Sequence, residues 1–377
     1  MRAYVLTDAR LLKLSGRFVR LDVNTEKRRN DGFVEKFPID AWPSLLFVDP
    51  ATEQVLLRWA GTATAEQIER LALDVERSVE AGAASRADEA LARADRLLGE
   101  RRHAEAAAAY AEALAAGGGA WKQRERAAEA RVQALSIAGD APACAAAARE
   151  GLPALGAGAR ARAVAMGLSC ARDLEDEAAR TAALDALERA ARPLLGAKGV
   201  LADDRSWVYD ELSRTREARG DEPGAKDLAR RWLAFLEGEA SRARTPAERT
   251  GLDGQRVSAA IRAGKPERVL PALLASERAL PDDFVPPSLL GVVYLELGRP
   301  KDALAAAGRA LSRAEGPRRV RVLVLEAQAR LALGERAAAR ATLERALAEA
   351  AALPEAARPR GYVKKAERML GELGGEG

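Results

Sequence analysis

Two rhythms of apolar and polar residues divide this chain. Near the N-terminus the rhythm is that of strands and short helices. Arg17 to Val23 reads Arg-Phe-Val-Arg-Leu-Asp-Val, an alternation that predicts a half-buried strand after an amphipathic run from Tyr4 to Leu14. Asn30 to Phe37 predicts a short helix. The apolar run Ser44 to Val48 predicts a buried strand, and Gln54 to Trp59 its antiparallel partner across a turn at Asp49-Pro50. Thr64 and Gln67 then form a capping box, with Ile68, Leu71, Ala72 and Val75 following at helical spacing. From Ala81 onward alanine, arginine, leucine and glutamate dominate and strand formers become sparse, which reads as long helices. The stretch Glu80-Ala81-Gly82-Ala83-Ala84-Ser85 separates the two, giving expected regions 1–80 and 81–377.

The second region repeats itself. A shift of 36 residues brings Pro281 onto Pro317, Leu295 onto Leu331, Gly298 onto Gly334, Ala303 onto Ala339 and Arg309-Ala310-Leu311 onto Arg345-Ala346-Leu347. Each unit reads as a helix, a glycine turn and a second helix. Gly291 and Ala303 are expected where the two helices approach most closely, and Tyr294 and Leu311 between neighbouring units. A second good match runs through Ala94, Leu97, Ala106, Tyr110, Ala113 and Leu114, and weaker units turn at Gly139-Asp140, Gly220-Asp221 and Gly264-Lys265. With a further hairpin over Gly158 to Leu195, the pattern predicts six or seven hairpins closed by a capping helix from Pro359 to Leu373.

The pattern Leu290-Gly291-x-x-Tyr294, Gly298, Ala303 and Ala310-Leu311 resembles the tetratricopeptide repeat (TPR). The run Phe37-Pro38-Ile39-Asp40-Ala41-Trp42-Pro43-Ser44-Leu45-Leu46-Phe47-Val48-Asp49-Pro50, with the elements around it, resembles the distal half of a thioredoxin. This resemblance implies a cis Trp42–Pro43 bond, with Trp42 and Pro43 on the surface that meets an extended substrate, and a central strand at Phe18–Val23. Thioredoxins open the preceding helix with Cys-x-x-Cys, which this chain lacks. Its absence suggests that Met1 is an internal methionine of a longer reading frame, or else a genuine loss of the redox half. The expected fold is therefore a partial α/β thioredoxin-like module followed by an all-α TPR-like solenoid.

Composition adds few candidates for chemistry. There is one histidine and there are two cysteines among 377 residues. His103 falls where a repeat carries an aromatic residue. Cys144 aligns with Ala303 in the small-residue slot, and Cys170 lies 26 residues on with no Cys-x-x-Cys or histidine cluster nearby, so both read as small buried hydrophobes and neither as a metal or redox site. Unpaired cysteines lean towards a reducing compartment. No phosphate loop or catalytic triad stands out, so no catalytic residue, cofactor or metal is expected. Carboxylates spaced three or four residues from arginines read as salt-bridged surface. Arginines outnumber lysines about five to one, suggesting a GC-rich bacterial genome, and a net charge of +4 with 4% aromatics argues against a nucleic-acid partner. Neither a signal peptide nor a membrane span is read. That favours the cytoplasm for the chain as it stands; if translation starts upstream, the absence carries no information and the periplasm is open as well.

The expected function is a protein-interaction adaptor, redox-inactive, holding a protein or peptide partner in the concave groove of the repeats. Ser288, Val292 and Glu296 are the candidate groove positions. The alternatives are a thiol–disulfide oxidoreductase whose Cys-x-x-Cys lies upstream, and a purely structural helical scaffold.

Overall fold

A computed structural model describes residues 5–39, 43–80 and 85–374. In chain order the elements are α1 (Asp31–Lys36), β1 (Ser44–Val48), β2 (Val55–Ala60), α2 (Ala65–Glu80), α3 (Arg86–Gly99), α4 (His103–Gly117), α5 (Arg124–Ala138), α6 (Ala141–Gly151), α7 (Ala157–Arg172), α8 (Glu177–Ala191), α9 (Ala202–Ala218) and α10 (Glu222–Arg242). After the single turn α11 (Pro246–Thr250) come α12 (Asp253–Arg262), α13 (Leu270–Ala279), α14 (Val285–Glu296), α15 (Pro300–Leu311), α16 (Pro317–Ala332), α17 (Arg336–Ala351) and α18 (Arg360–Gly374).

From α3 onward the described residues form TPR-like helical hairpins: α3–α4, α5–α6, α7–α8, α9–α10, α12–α13, α14–α15 and α16–α17, followed by α18. The turns fall at the expected glycines. At Gly139 the backbone takes φ 77°, and the Gly139 and Asp140 amides donate back to Ser136 and Leu135, closing the end of α5. The first hairpin has no glycine there, and Arg101 adopts the same left-handed conformation, φ 62°. A Cβ on Gly291 would come within 2.8 Å of Leu325 and 3.5 Å of the Ala303 carbonyl, so the close approach expected at this glycine is present.

The chain divides into two compact units, Met1–Val19 with Asp40–Trp232 and Arg20–Ile39 with Leu233–Gly377. In the first, β1 and β2 pair antiparallel, Leu45 opposite Trp59 and Phe47 opposite Leu57. The Asp49 carboxylate takes the Ala51 amide and the Thr52 hydroxyl to shape the turn between them. The capping box forms as read: the Thr64 hydroxyl accepts from the Gln67 amide at 3.1 Å while Gln67 Oε1 accepts from the Thr64 amide at 2.9 Å. Val5, Leu57, Trp59, Ile68, Leu71 and Val75 make a small core between this sheet and α2.

The thioredoxin-like expectation fails at its centre. Phe18–Val23 is not a strand, and the sheet has two strands among the described residues. A strand meant for the middle of a sheet needs ladder partners on both sides, and among the described residues Phe18–Val23 has none. Phe18 instead packs edge-on against Phe47, centroids 5.9 Å apart, while Val19 and Leu21 are exposed. The Trp42–Pro43 bond lies outside the described residues.

In the second unit Arg20–Ile39 rests on the repeats. Glu26 pairs with Arg318, and Lys27 Nζ lies 2.8 Å from Glu315. The Glu26 carbonyl passes so close to Gly316 that a Cβ there would sit 2.5 Å from it, which together with φ 54° requires glycine.

The cysteines are also corrected. Cys144 and Cys170 are joined in a disulfide, Cα atoms 6.1 Å apart. They look unrelated in sequence because the pairing runs between α6 and α7, the second helix of one hairpin and the first of the next. The small-residue slot that makes Cys144 wholly buried is what brings α7 within bonding reach. The argument from unpaired cysteines to a reducing compartment falls with it.

Candidate partner-binding face

In the first unit the first helices of successive hairpins pack side by side, α5 on α7 and α7 on α9. Helices that pack on several sides must be apolar nearly all round. In α7, Ala161, Ala163, Val164, Ala165, Met166 and Leu168 are all buried. Arg162 stands within that run and is itself 3% exposed. Its guanidinium binds Glu129 of α5 through Nε and Nη2, the latter at 3.1 Å, and Asp204 of α9 through Nη1 at 2.8 Å. Burial pushes both carboxylates above the ordinary range. Burial opposes the charge on Arg162 as well, but Glu129 and Asp204 outweigh it and hold the guanidinium firmly protonated.

A second polar group joins α3, α4 and α5. Asp95 accepts from the Tyr110 hydroxyl at 2.7 Å and from Arg126 Nη1 at 2.9 Å. Burial raises the carboxyl of Asp95 and the phenol of Tyr110.

Across these helices lies the β1–β2–α2 module. Gln133 Nε2 on α5 donates to the Ala60 carbonyl at 2.7 Å. The Arg162 guanidinium sits 5.5 Å from the centre of the Trp59 ring. Thr62 hydrogen-bonds Asp204, and Asp74 of α2 accepts from Gln123 at 2.9 Å and faces Arg126 Nε at 3.7 Å. Val55 packs where Gly99 leaves no side chain. His103, at the start of α4, lines a small cleft with Ser44, Arg58, Ala60, Gln133 and Ile137. Four first helices thus hold one folded segment of the same chain.

In the second unit α12 packs on α14, α14 on α16 and α16 on α18. Of the sequence-derived positions on α14, Glu296 is exposed. Val292 packs partly into the cluster of Phe284, Ala307 and Ala310. Ser288 is 1% exposed, a correction to its reading as a groove residue: α14 is enclosed over most of its circumference, with Pro286 to Gly291 all buried. Pro43 is part of the seated module, its carbonyl accepting the Gly61 amide at 2.7 Å, and Trp42 lies outside the described residues.

Sequence reading missed Trp59, Thr62, Arg162 and Asp204, having assigned helical charge to solvated faces. The available signal was Arg162 itself, an arginine inside an apolar run with no polar side for it to belong to. Among the described residues no group of three or more His, Cys, Asp or Glu is placed to hold a metal, and no helix is long and apolar enough to cross a membrane.

No family model matches the chain, and neither does any curated protein. Solved structures of helical-repeat proteins do. The TPR2AB domain of yeast Sti1, solved with a peptide of Hsp90, aligns over 76% of this chain and 98% of its own at 15% identity and TM-score 0.30. The Cut9–Hcn1 hetero-tetramer of the APC/C aligns over 77% of this chain and 51% of its own, at 14% identity and TM-score 0.35. Residues 1–338 of Acl4, an assembly chaperone of RpL4, align over 76% and 97% at 16% identity and TM-score 0.36. At these scores the likeness adds nothing to what the hairpins themselves establish.

Proposed function

We propose that the chain is a protein-interaction adaptor whose TPR-like array takes an extended protein or peptide partner on the face lined by its first helices, with residues 1–80 as an N-terminal module and 81–377 as the array. One observation carries this reading: in the first unit that face already holds folded polypeptide, through a side-chain donor to a backbone carbonyl, a cation on an aromatic ring and a carboxylate on a hydroxyl.

The positions agree between hairpins. Glu129, Gln133 and Ile137 precede Gly139 by the same ten, six and two residues by which Ser288, Val292 and Glu296 precede Gly298. Gln133 and Ile137 border the seated module, and Glu129 holds the arginine beneath Trp59. The stripe on α14 corresponds by position to that on α5, and on it Glu296 is exposed, Val292 partly so and Ser288 buried. The balanced charge argues for a protein partner over nucleic acid. The oxidoreductase alternative draws nothing from Cys144 and Cys170, which are buried and bonded to one another, and rests wholly on an upstream Cys-x-x-Cys.

The test is partner recovery by the full chain against a Val292→Arg/Glu296→Arg variant with unchanged thermal unfolding. At least fivefold lower recovery by the variant is expected. Equal recovery removes the groove reading and favours the structural scaffold.

A further inference from the structure

We propose that the β1–β2–α2 module is a releasable plug, an intramolecular occupant that must leave the first-helix face of the first unit before that face can take a partner. The inference rests on the adaptor reading and deepens it.

Each side is complete without the other. The module has its own apolar core, built from Val5, Leu57, Trp59, Ala63, Ala65, Ile68, Leu71 and Val75, and none of these belongs to the large core of the array around Tyr110, Val132, Val164, Leu168, Leu187 and Val208. Its helix start is capped internally by Thr64 and Gln67. On the array side the buried charges are neutralised within the array. Arg162 has Glu129 and Asp204, and Arg126 has Asp95, which also holds the Tyr110 hydroxyl. Departure of the module therefore strands no buried ion, the event that makes separation of most charged interfaces costly.

The contacts that join the two sides include a polar set, the Ala60 carbonyl on Gln133, the Thr62 hydroxyl on Asp204, the Trp59 ring over Arg162, and Asp74 on Gln123 and Arg126, beside the packing of Val55 against Gly99 of α3. Polar seams between separate cores characterise interfaces that open, whereas permanent ones merge their apolar cores. After release the face presents a guanidinium ready for an aromatic ring, a carboxylate acceptor beside it and a carboxamide donor one turn along α5. The partner it fits is a protein segment in extended or hairpin form carrying an aromatic residue and, three residues on, a hydroxyl, matching Trp59 and Thr62.

Hydrogen exchange on the full chain tests the release. The amides of β1, β2 and α2 are expected to exchange together, about 10-fold or more faster than those of α5 and α7, because they open as a local unit. Thr62→Val, which removes the hydroxyl from Asp204, is expected to speed the module by about a further 10-fold while changing α5 and α7 less than twofold. Exchange of the module at the rate of α5 and α7 in both proteins overturns the proposal. Gating is read with a fluorescent synthetic peptide of residues 54–67. It is expected to bind the Thr62→Val chain at least fivefold more tightly than the wild type, and equal binding to both, or to neither, also overturns the plug. Failure of the adaptor reading shows separately, as equal partner recovery by the Val292→Arg/Glu296→Arg chain.

Discussion

In the first unit the stacked first helices carry charge at their inner positions, Asp95, Arg126, Glu129, Arg162 and Asp204, and polypeptide covers them. In the second, α14 and α16 are aliphatic through Leu289, Leu290, Val293, Val322, Leu323 and Val324, and, although α12 carries a buried pair of its own, Asp253 with Arg256, the ion pairs of Glu277 and Glu349 lie at the periphery. There Glu277 meets Arg309 and Arg313 of the next hairpin, and Glu349 meets Arg319. The two units share their turns and small-residue slots and differ in this stripe. The hairpin is specified by its glycine turn and by the alanines between its helices, which leaves the inner stripe free to become either core or docking surface.

The comparison is tested most severely at Arg162. Arg162→Met leaves Glu129 and Asp204 buried with no cation, and the expected loss is about 3–5 kcal/mol from the unfolding free energy of the first unit. Restoring neutrality in the triple variant Arg162→Met/Glu129→Gln/Asp204→Asn is expected to recover most of it. The peripheral counterpart in the second unit, Arg319→Ala, is expected to cost about 1 kcal/mol or less, because its pair with Glu349 is partly solvated. Urea titration with hydrogen exchange to assign each loss to its unit measures both, and equal losses would erase the distinction between the two stripes.

The disulfide sharpens the same contrast, since it lies in the first unit alone. It closes a loop of 26 residues between α6 and α7, and the Cys144→Ala/Cys170→Ala variant is expected to lose about 3 kcal/mol through the freer unfolded chain. Mass spectrometry with and without reductant, followed by urea titration, checks the bond and its contribution. A variant as stable as the oxidised wild type would show that the bond constrains nothing.

Two glycines compare the packing of the units directly. A Cβ on Gly167 of α7 would stand 2.6 Å from the Cβ of Ala148 and 3.2 Å from Leu187, and Ala148 has no rotamer by which to yield. A Cβ on Gly291 would meet only the tip of Leu325 below 3 Å. Gly167→Ala is therefore expected to cost about 2–3 kcal/mol and Gly291→Ala about 1 kcal/mol. The reverse order in thermal unfolding would mean that the first unit yields more readily than its contacts suggest.

The sequence carried what is periodic or local. The glycine turns, Gly291 against Ala303, the capping box at Thr64 and the hairpin at Asp49-Pro50 are set by residues close in the chain or repeated along it, so a single sequence exposes them. The plug was not legible, because Trp59 and Thr62 gain their meaning only from Arg162 and Asp204, more than a hundred residues away. The disulfide was hidden for the same reason. Phe18–Val23 shows the opposite error: its alternation is genuine, but alternation does not supply the neighbouring strands that a ladder requires.

The smallest expected effect is on acid stability, where the inner carboxylates of the first unit and the peripheral ones of the second should part in sign. Burial raises the carboxyls of Asp95, Glu129 and Asp204 above their unfolded values. The folded first unit therefore keeps those protons more readily than the unfolded chain, and the associated stability is fully present below the unfolded pKa and is lost as pH rises through the folded values. In the second unit Arg309 holds Glu277 below the ordinary range, and for Glu349 the lowering by Arg319 and Arg345 exceeds the raising effect of burial. That stability is present above the unfolded pKa and is lost as pH falls through the folded values. Asp8, Asp49, Glu105 and Asp221, which are lowered in the first unit, and Asp253, which burial raises in the second, run against their own unit, so the opposite signs are read at the helices that carry each set and not from unfolding of the whole unit. Between about pH 5 and 3, protection of α14 and α16, corrected for intrinsic exchange, should fall before that of α5 and α7. Earlier loss at α5 and α7 would show that Glu129 and Asp204 stabilise the first unit chiefly as ions, and that its buried charges behave as the peripheral pairs of the second unit do.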